Sequence, residues 1–403
     1  MHLLALPFLL CATFNGVHVP HDDVHGIATA DLSSGVRETV ITTQRVCKVF
    51  RSRDGGISWE AVHGDGLELA MADSVIWDSH PNGQRFLIGT NKGVWAYDPI
   101  SEVVSALSSG LGNGDGNFIA CMDAPEDGSD GPILLVNREG DIFTLNRATD
   151  TWEMQLQTGN TDVRAQVSVS PHFFLSGSNG PEQSVAAAVA GVLYLSEDGG
   201  ENWMTHPQFS TPAVVPGDRL ITAIAYSDDY ITSGDLILAT SVENLSNFTG
   251  DEGTMWRSGD FGGTFSNVLR TDSSIRSLQQ TPPGPSGNSW FLAAVFAYPD
   301  FYDLPSSDGI LRSSDGGMTW DDFGSAQDFI AEGDASDTVT LGRQYILDFE
   351  VSPTFSTDGE IFFGRSEGLF KSRDEGLHWI PIAYRPVLHT RGMSSYVDKR
   401  GDL

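Results

Sequence analysis

The feature that most constrains this chain is a nine-residue phrase that it repeats. Arg51-Ser52-Arg53-Asp54-Gly55-Gly56-Ile57-Ser58-Trp59 returns as Leu195-Ser196-Glu197-Asp198-Gly199-Gly200-Glu201-Asn202-Trp203 and as Arg312-Ser313-Ser314-Asp315-Gly316-Gly317-Met318-Thr319-Trp320. It returns again, with one glycine replaced, as Lys371-Ser372-Arg373-Asp374-Glu375-Gly376-Leu377-His378-Trp379, and a fifth copy, Arg257-Ser258-Gly259-Asp260-Phe261-Gly262-Gly263-Thr264-Phe265, ends on Phe. A phrase that recurs at one place inside a larger unit marks a repeat architecture, in which each unit buries its apolar face against the next.

Each copy follows a short apolar run such as Val192-Leu193-Tyr194-Leu195, so it reads as the turn of a β-hairpin. The Ser hydroxyl and Asp carboxylate are suited to hydrogen-bond turn backbone, and the glycines admit positive φ. The closing Trp offers a large apolar face for burial between sheets and an N–H that needs an acceptor.

The matching positions are Ser52, Asp54, Gly56 and Trp59; Ser196, Asp198, Gly200 and Trp203; Ser258 and Asp260; Ser313, Asp315, Gly317 and Trp320; and Ser372, Asp374, Gly376 and Trp379. The pattern resembles the Asp-box, or BNR repeat, Ser-x-Asp-x-Gly-x-x-Trp. That resemblance implies a β-propeller with the box in the hairpin between the third and fourth strands of each blade. Families that share the box include sialidases, xyloglucanase-type glycosidases, sortilin-like receptors, photosystem II assembly-factor propellers and YVTN-BNR-like repeat proteins. They share little chemistry, so the resemblance implies a fold rather than an activity.

Two degenerate boxes fill the gap between the first clear copies: Trp95-Ala96-Tyr97-Asp98, and Phe143-Thr144-Leu145-Asn146 leading into Asp150-Thr151-Trp152. With them the spacing is roughly 44 to 62 residues, one four-stranded blade each, which gives seven blades. Alternating runs ahead of the boxes, such as 166–171, 220–227 and 346–353, read as innermost strands, and 360–364 as the next strand outward. The expectation is an all-β, single seven-bladed propeller over 20–385, with four antiparallel strands in every blade and none borrowed from the N-terminus. Residues 386–403 form a tail, and 1–19 an extension or signal peptide.

The 44 glycines and 19 prolines suit a turn-rich all-β chain. A net charge of −31 argues against nucleic acid and against anionic membrane surfaces. No apolar run is long enough to span a membrane. Three cysteines, Cys11, Cys47 and Cys121, exclude a disulfide-rich scaffold and a four-thiolate zinc site. Leu3 to Ala12 has the apolar core of a secretory signal without its basic flank, so the expected location is secreted or periplasmic, with the cytoplasm as the alternative. Two sequons, at Asn244 and Asn247, bear on this only in a eukaryotic secretory route.

Propeller ligands usually sit at the channel mouth, among the loops that enter the inner strands. Those entrances carry His21-Asp22-Asp23, Asp73, Asn117, Arg164, Arg219, Arg276 and Arg343. Four arginines on consecutive blades could grip a carboxylate or sulfate through their guanidinium forks, or simply neutralise neighbouring acids. The resemblance to sialidases, which use an arginine cluster, suggests an acidic glycan. A glycosidase would need two carboxylates across a cleft, and Asp23 and Asp348 are the best placed, although Asp348 alternates with apolar neighbours as a buried hydrogen-bonding residue would. The loop 123–130 has oxygen ligands without calcium-loop spacing and reads as a solvated turn, and no histidine shows metal spacing, so neither metal nor cofactor is expected. The reading is a monomeric binding or scaffold propeller for a glycan or protein ligand gripped by Arg164, Arg219, Arg276, Arg343 and His21. The alternatives are a glycoside hydrolase using a carboxylate pair and an assembly factor for a membrane complex.

Overall fold

The computed structural model describes residues 24–43, 49–67, 70–79, 84–112, 117–125, 131–160, 165–173, 176–177, 180–181, 183–213, 219–242, 252–271, 274–296, 309–325, 346–365 and 368–384. They form seven four-stranded antiparallel sheets, each built from four strands paired in chain order. A two-stranded hairpin, Ser176–Gly177 with Gly180–Pro181, is inserted in the fourth blade. The inner strands are Val24–Asp31, Ala72–Asp78, Ile119–Asp123, Gln166–Val169, Arg219–Tyr226, Ser274–Gln280 and Ile346–Val351. Each packs on the next and the seventh packs on the first, which closes a ring of seven blades. This is the expected seven-bladed propeller, and every blade draws its four strands from its own stretch of chain.

Strand alternation explains where the core lies. In the second strand of blade four, Val185, Ala187 and Val189 pack toward blade three, whereas Ala186 and Ala188 pack toward blade five. A strand sends successive side chains to opposite faces, so a central strand buried on both faces reads as a continuous apolar run. The buried apolar residues accordingly fall into seven clusters, one at each blade junction.

The repeated phrase occupies the turn between third and fourth strands, as expected, and its residues are held by one hydrogen-bond pattern. In blade one the Ser52 hydroxyl donates to Asp54 Oδ1 at 2.9 Å and accepts from Gly56 N at 2.9 Å, while Asp54 Oδ1 also accepts from Ser58 N at 2.9 Å. The same bonds recur around Asp198, Asp260, Asp315 and Asp374. The residue before the aromatic, Ser58, Asn202, Thr264, Thr319 or His378, returns a side-chain hydrogen bond to the second carboxylate oxygen. Trp59 and Trp320 donate Nε1 to the carbonyls of Gly56 and Gly317, each at 3.1 Å. Phe265 has no such donor and fills the junction of blades four and five with carbon alone.

The worn copies keep the turn by other means. In blade two Asp98 Oδ1 accepts from Ile100 N at 2.8 Å, and in blade three Asn146 Oδ1 accepts from Ala148 N at 3.1 Å. Gly55 has φ 72°, and the residues at its position in blades five and seven, Phe261 and Glu375, hold φ 60° and 57°. A side chain in this region is unfavourable, so those two positions need a compensating contact. Glu375 has one in blade six, where its carboxylate accepts from Ser286 N at 2.7 Å and Trp290 Nε1 at 3.1 Å.

Candidate functional site

The strand order places the repeated hairpins and the first-to-second connections on one face of the ring, and the second-to-third and blade-to-blade connections on the other. The expected site lies on the second face. His21, Asp23, Arg164 and Arg343 fall outside the described residues. Arg219 opens the inner strand of blade five, exposed, with its guanidinium 5.5 Å from the Trp256 ring centroid. Arg276 is the third residue of the inner strand of blade six and is half-buried. Both therefore lie toward the expected face, and Arg219 stacks on an aromatic ring of its own blade.

Asp348, in the inner strand of blade seven, reaches into blade one, where its Oδ2 accepts from Ile27 N at 3.0 Å. Glu350, two residues on, accepts from Thr29 N at 2.7 Å. Residues spaced by two share a strand face, so both carboxylates address the same edge. Ile27 and Thr29 point these N–H groups away from their own second strand, and such edge donors need an acceptor when buried. Asp123 does the same for the next blade along, taking Val169 N at 2.8 Å. At the junction of blades five and six a hydroxyl replaces the carboxylate, with Ser241 Oγ accepting from Ile275 N at 3.0 Å.

Burial pushes Asp348 up to about 7, against two backbone N–H bonds that favour its charged form, and the negative charge of Asp123 adds to the rise. The same two aspartates help hold the Cys121 thiol high, after burial itself, which pushes it up to about 12. Burial lowers His25 to about 4, with Nδ1 3.9 Å from Asp73. Of the loop 123–130, residues 126–130 lie outside the described residues, and both oxygens of Asp123 accept backbone N–H bonds, one from Ala124 at 2.9 Å.

A second feature escaped the sequence reading. On the hairpin face, between blades seven and one, a cleft of about 550 Å³ is lined by Asp31, Gly35, Arg37, Gly55, Glu360, Lys371 and Arg373. The available signal was the pair of basic residues in the blade-seven copy of the phrase, Lys371 with Arg373; the matching pair in blade one, Arg51 and Arg53, turns instead to Glu60, Glu102 and Glu38.

No protein-family model and no curated protein matches this chain. Solved structures do. An ancestral GH74 enzyme superposes with a TM-score of 0.63 at 14% identity over 91% of this chain and 48% of that one, so the chain spans about half the length of that enzyme. YCF48 bound to D1 peptide gives a TM-score of 0.53 at 13% identity, covering 88% of this chain and 94% of that one. The WD40 β-propeller domain of Doa1 gives 0.54 at 13% identity, covering 91% and 100%. At such identities the likeness carries the fold alone, a seven-bladed β-propeller.

Proposed function

We infer that the chain is an exported, monomeric binding propeller of the Asp-box kind, with its ligand, an anionic glycan or a protein segment, at the channel mouth opposite the hairpins. Arg219 and Arg276, with Arg164, Arg343 and His21, supply the grip. The observation that carries this reading is the engagement of the inner-strand carboxylates. Asp348, Glu350 and Asp123 each accept a backbone N–H from the neighbouring blade, a structural duty rather than a poised catalytic pair. A protein-segment ligand would make the chain an assembly factor, and YCF48, one of its structural neighbours, is seen with a peptide.

Glycoside hydrolysis is the second reading, in which the buried Asp348 would serve as the acid of a carboxylate pair. Burial, with a smaller push from the charge of Asp123, raises Asp348 toward the range of a general acid at neutral pH.

One experiment separates the two. Acidic and neutral oligosaccharides are offered to the purified chain, and sugar release and equilibrium binding are measured in parallel. The binding reading expects saturable binding of an acidic oligosaccharide, weakened by the double variant Arg219→Ala, Arg276→Ala, and no sugar release. Release abolished by Asp348→Asn would establish hydrolysis instead.

A further inference from the structure

The hairpin face lies opposite the channel mouth, and one residue of the repeated phrase fastens its hairpins to one another. The residue ahead of the Ser is a cation in blades five, six, seven and one, and each cation reaches the next hairpin around the ring. Arg257 Nε donates to the carbonyl of Gly316 at 2.7 Å, and Arg312 Nη1 to that of Glu375 at 3.5 Å. Lys371 Nζ lies 3.5 Å from where a Cβ on Gly55 would stand, and Arg51 pairs with Glu102 of blade two at 2.9 Å. Gly316, Glu375 and Gly55 hold the same place in their phrases, directly after the Asp. Blade four has Leu195 instead of a cation, and a Cβ on Gly262 would lie 3.0 Å from its Cδ1. The cation contacts therefore tie together the hairpins of blades five, six, seven, one and two.

The same five hairpins carry exposed apolar side chains. Phe261, Met318, Leu377, Ile57 and Ile100, one on each of five consecutive blades, are between 40% and 82% exposed. The turns of blades three and four expose Thr149 with Asp150 and Glu201 with Asn202 in their stead, and Met154 and Met204 there lie on fourth strands rather than in the turns. Apolar residues scattered singly over a surface need no partner, but an arc at the turns of successive blades, held by cation contacts, is an ordered surface. Each of these side chains stands out from its turn, so a folded partner would need a separate pocket for every one. The lipid interface takes apolar side chains roughly 5–10 Å deep and deforms around all of them together. Charge narrows the choice of lipid. At a net charge of −31 the chain is repelled by anionic headgroups and by a second copy of itself, which leaves an interface without net charge.

We propose that the hairpin face docks on a bilayer of zwitterionic lipid through Phe261, Met318, Leu377, Ile57 and Ile100, with the channel mouth turned to solvent. The probes are vesicles of phosphatidylcholine alone and vesicles in which about a third of the lipid is phosphatidylserine, read by co-sedimentation of the whole chain. The chain is expected to bind the first saturably and the second more weakly. Ile57→Ser is expected to weaken binding about tenfold, the loss of one inserted apolar side chain. The quadruple variant Ile57→Ser, Ile100→Ser, Met318→Ser, Leu377→Ser is expected to abolish it, whereas Met154→Ser, outside the arc, binds as the unaltered chain does. All five positions are exposed, so unchanged thermal unfolding confirms that each variant is folded. Four results would overturn the proposal: no binding to phosphatidylcholine vesicles, undiminished binding by the quadruple variant, tighter binding to the anionic vesicles, or self-association in place of vesicle binding that the quadruple variant loses, which would mean that a second copy covers the arc.

Discussion

Asp348 and Ile27 lie 321 residues apart in the chain, and the carboxylate of one accepts the backbone N–H of the other at 3.0 Å. With Glu350 and Thr29, this contact joins the last blade to the first. Propeller rings can be closed by a strand shared between terminal blades, but among the described residues no strand is shared. Closure rests on these carboxylates, on Arg37 bridging to Asp358 and Glu360, and on the apolar junction around Phe50, Trp59 and Phe362.

Removing the carboxylate should therefore weaken the ring. Asp348→Ala leaves the Ile27 N–H without its acceptor, a loss of about 1–3 kcal/mol. Glu350→Ala should act similarly through Thr29, and urea unfolding monitored by tryptophan fluorescence checks both.

Among the shifted groups, Asp348 and His25 make large and opposed contributions to the pH dependence of stability. Asp348 rises from 3.8 to about 7, so between those values the folded chain holds a proton that the unfolded chain has released, and this contribution is lost as pH rises. His25 falls from 6.5 to about 4, so the unfolded chain binds the proton and stability grows as pH rises across that range. Asp348→Asn should leave a rising stability between about pH 5 and pH 6.5, and His25→Gln a falling one, each by up to about 1.4 kcal/mol per pH unit. Urea midpoints across that range give the sign.

Trp59 is buried at the junction of blades seven and one, with its N–H satisfied by Gly56. Trp59→Ala should cost about 3–5 kcal/mol. Asp54→Ala strands Ser58 N at an exposed turn and should cost less, about 1–2 kcal/mol. If the aspartate variant proves the more damaging by denaturant titration, the hairpin and not the wedge holds the blade.

Glu375 sets two effects against each other. Its φ of 57° disfavours a side chain, and Glu375→Gly relieves that at a gain of about 1–2 kcal/mol. The same change removes its carboxylate from Ser286 and Trp290, and hydrogen bonds to a charged group are worth about 1.5–3 kcal/mol each. The latch should win, so the glycine variant should unfold at lower temperature despite matching the other hairpins.

The blade count, the hairpins and the inner strands were legible because they are local: period-two runs and turn residues write themselves into consecutive positions. Phe265 and Glu375 depart from the phrase yet hold the same turn, since the Ser and Asp hydrogen bonds do the folding. The duty of Asp348 was half legible. Its alternation with apolar neighbours suggested a buried hydrogen-bonding role, but its partner is a backbone N–H in the first blade, which leaves no trace in side-chain spacing. The cleft between blades seven and one was missed for a related reason, because its two halves come from opposite ends of the chain. The arginines at the inner-strand entrances could be read as a series, but their pairing depends on neighbours such as Trp256, which stands near Arg219 from the third strand of its blade.

Amide hydrogen exchange at Ile27 and Thr29 tests most directly whether carboxylates close this ring. Both N–H groups face away from their own blade, so slow exchange in the native chain that becomes fast in the double variant Asp348→Ala, Glu350→Ala, with blades three to five unchanged, is the expected result. Fast exchange at both amides in the native chain, or slow exchange that survives the double variant, would contradict it.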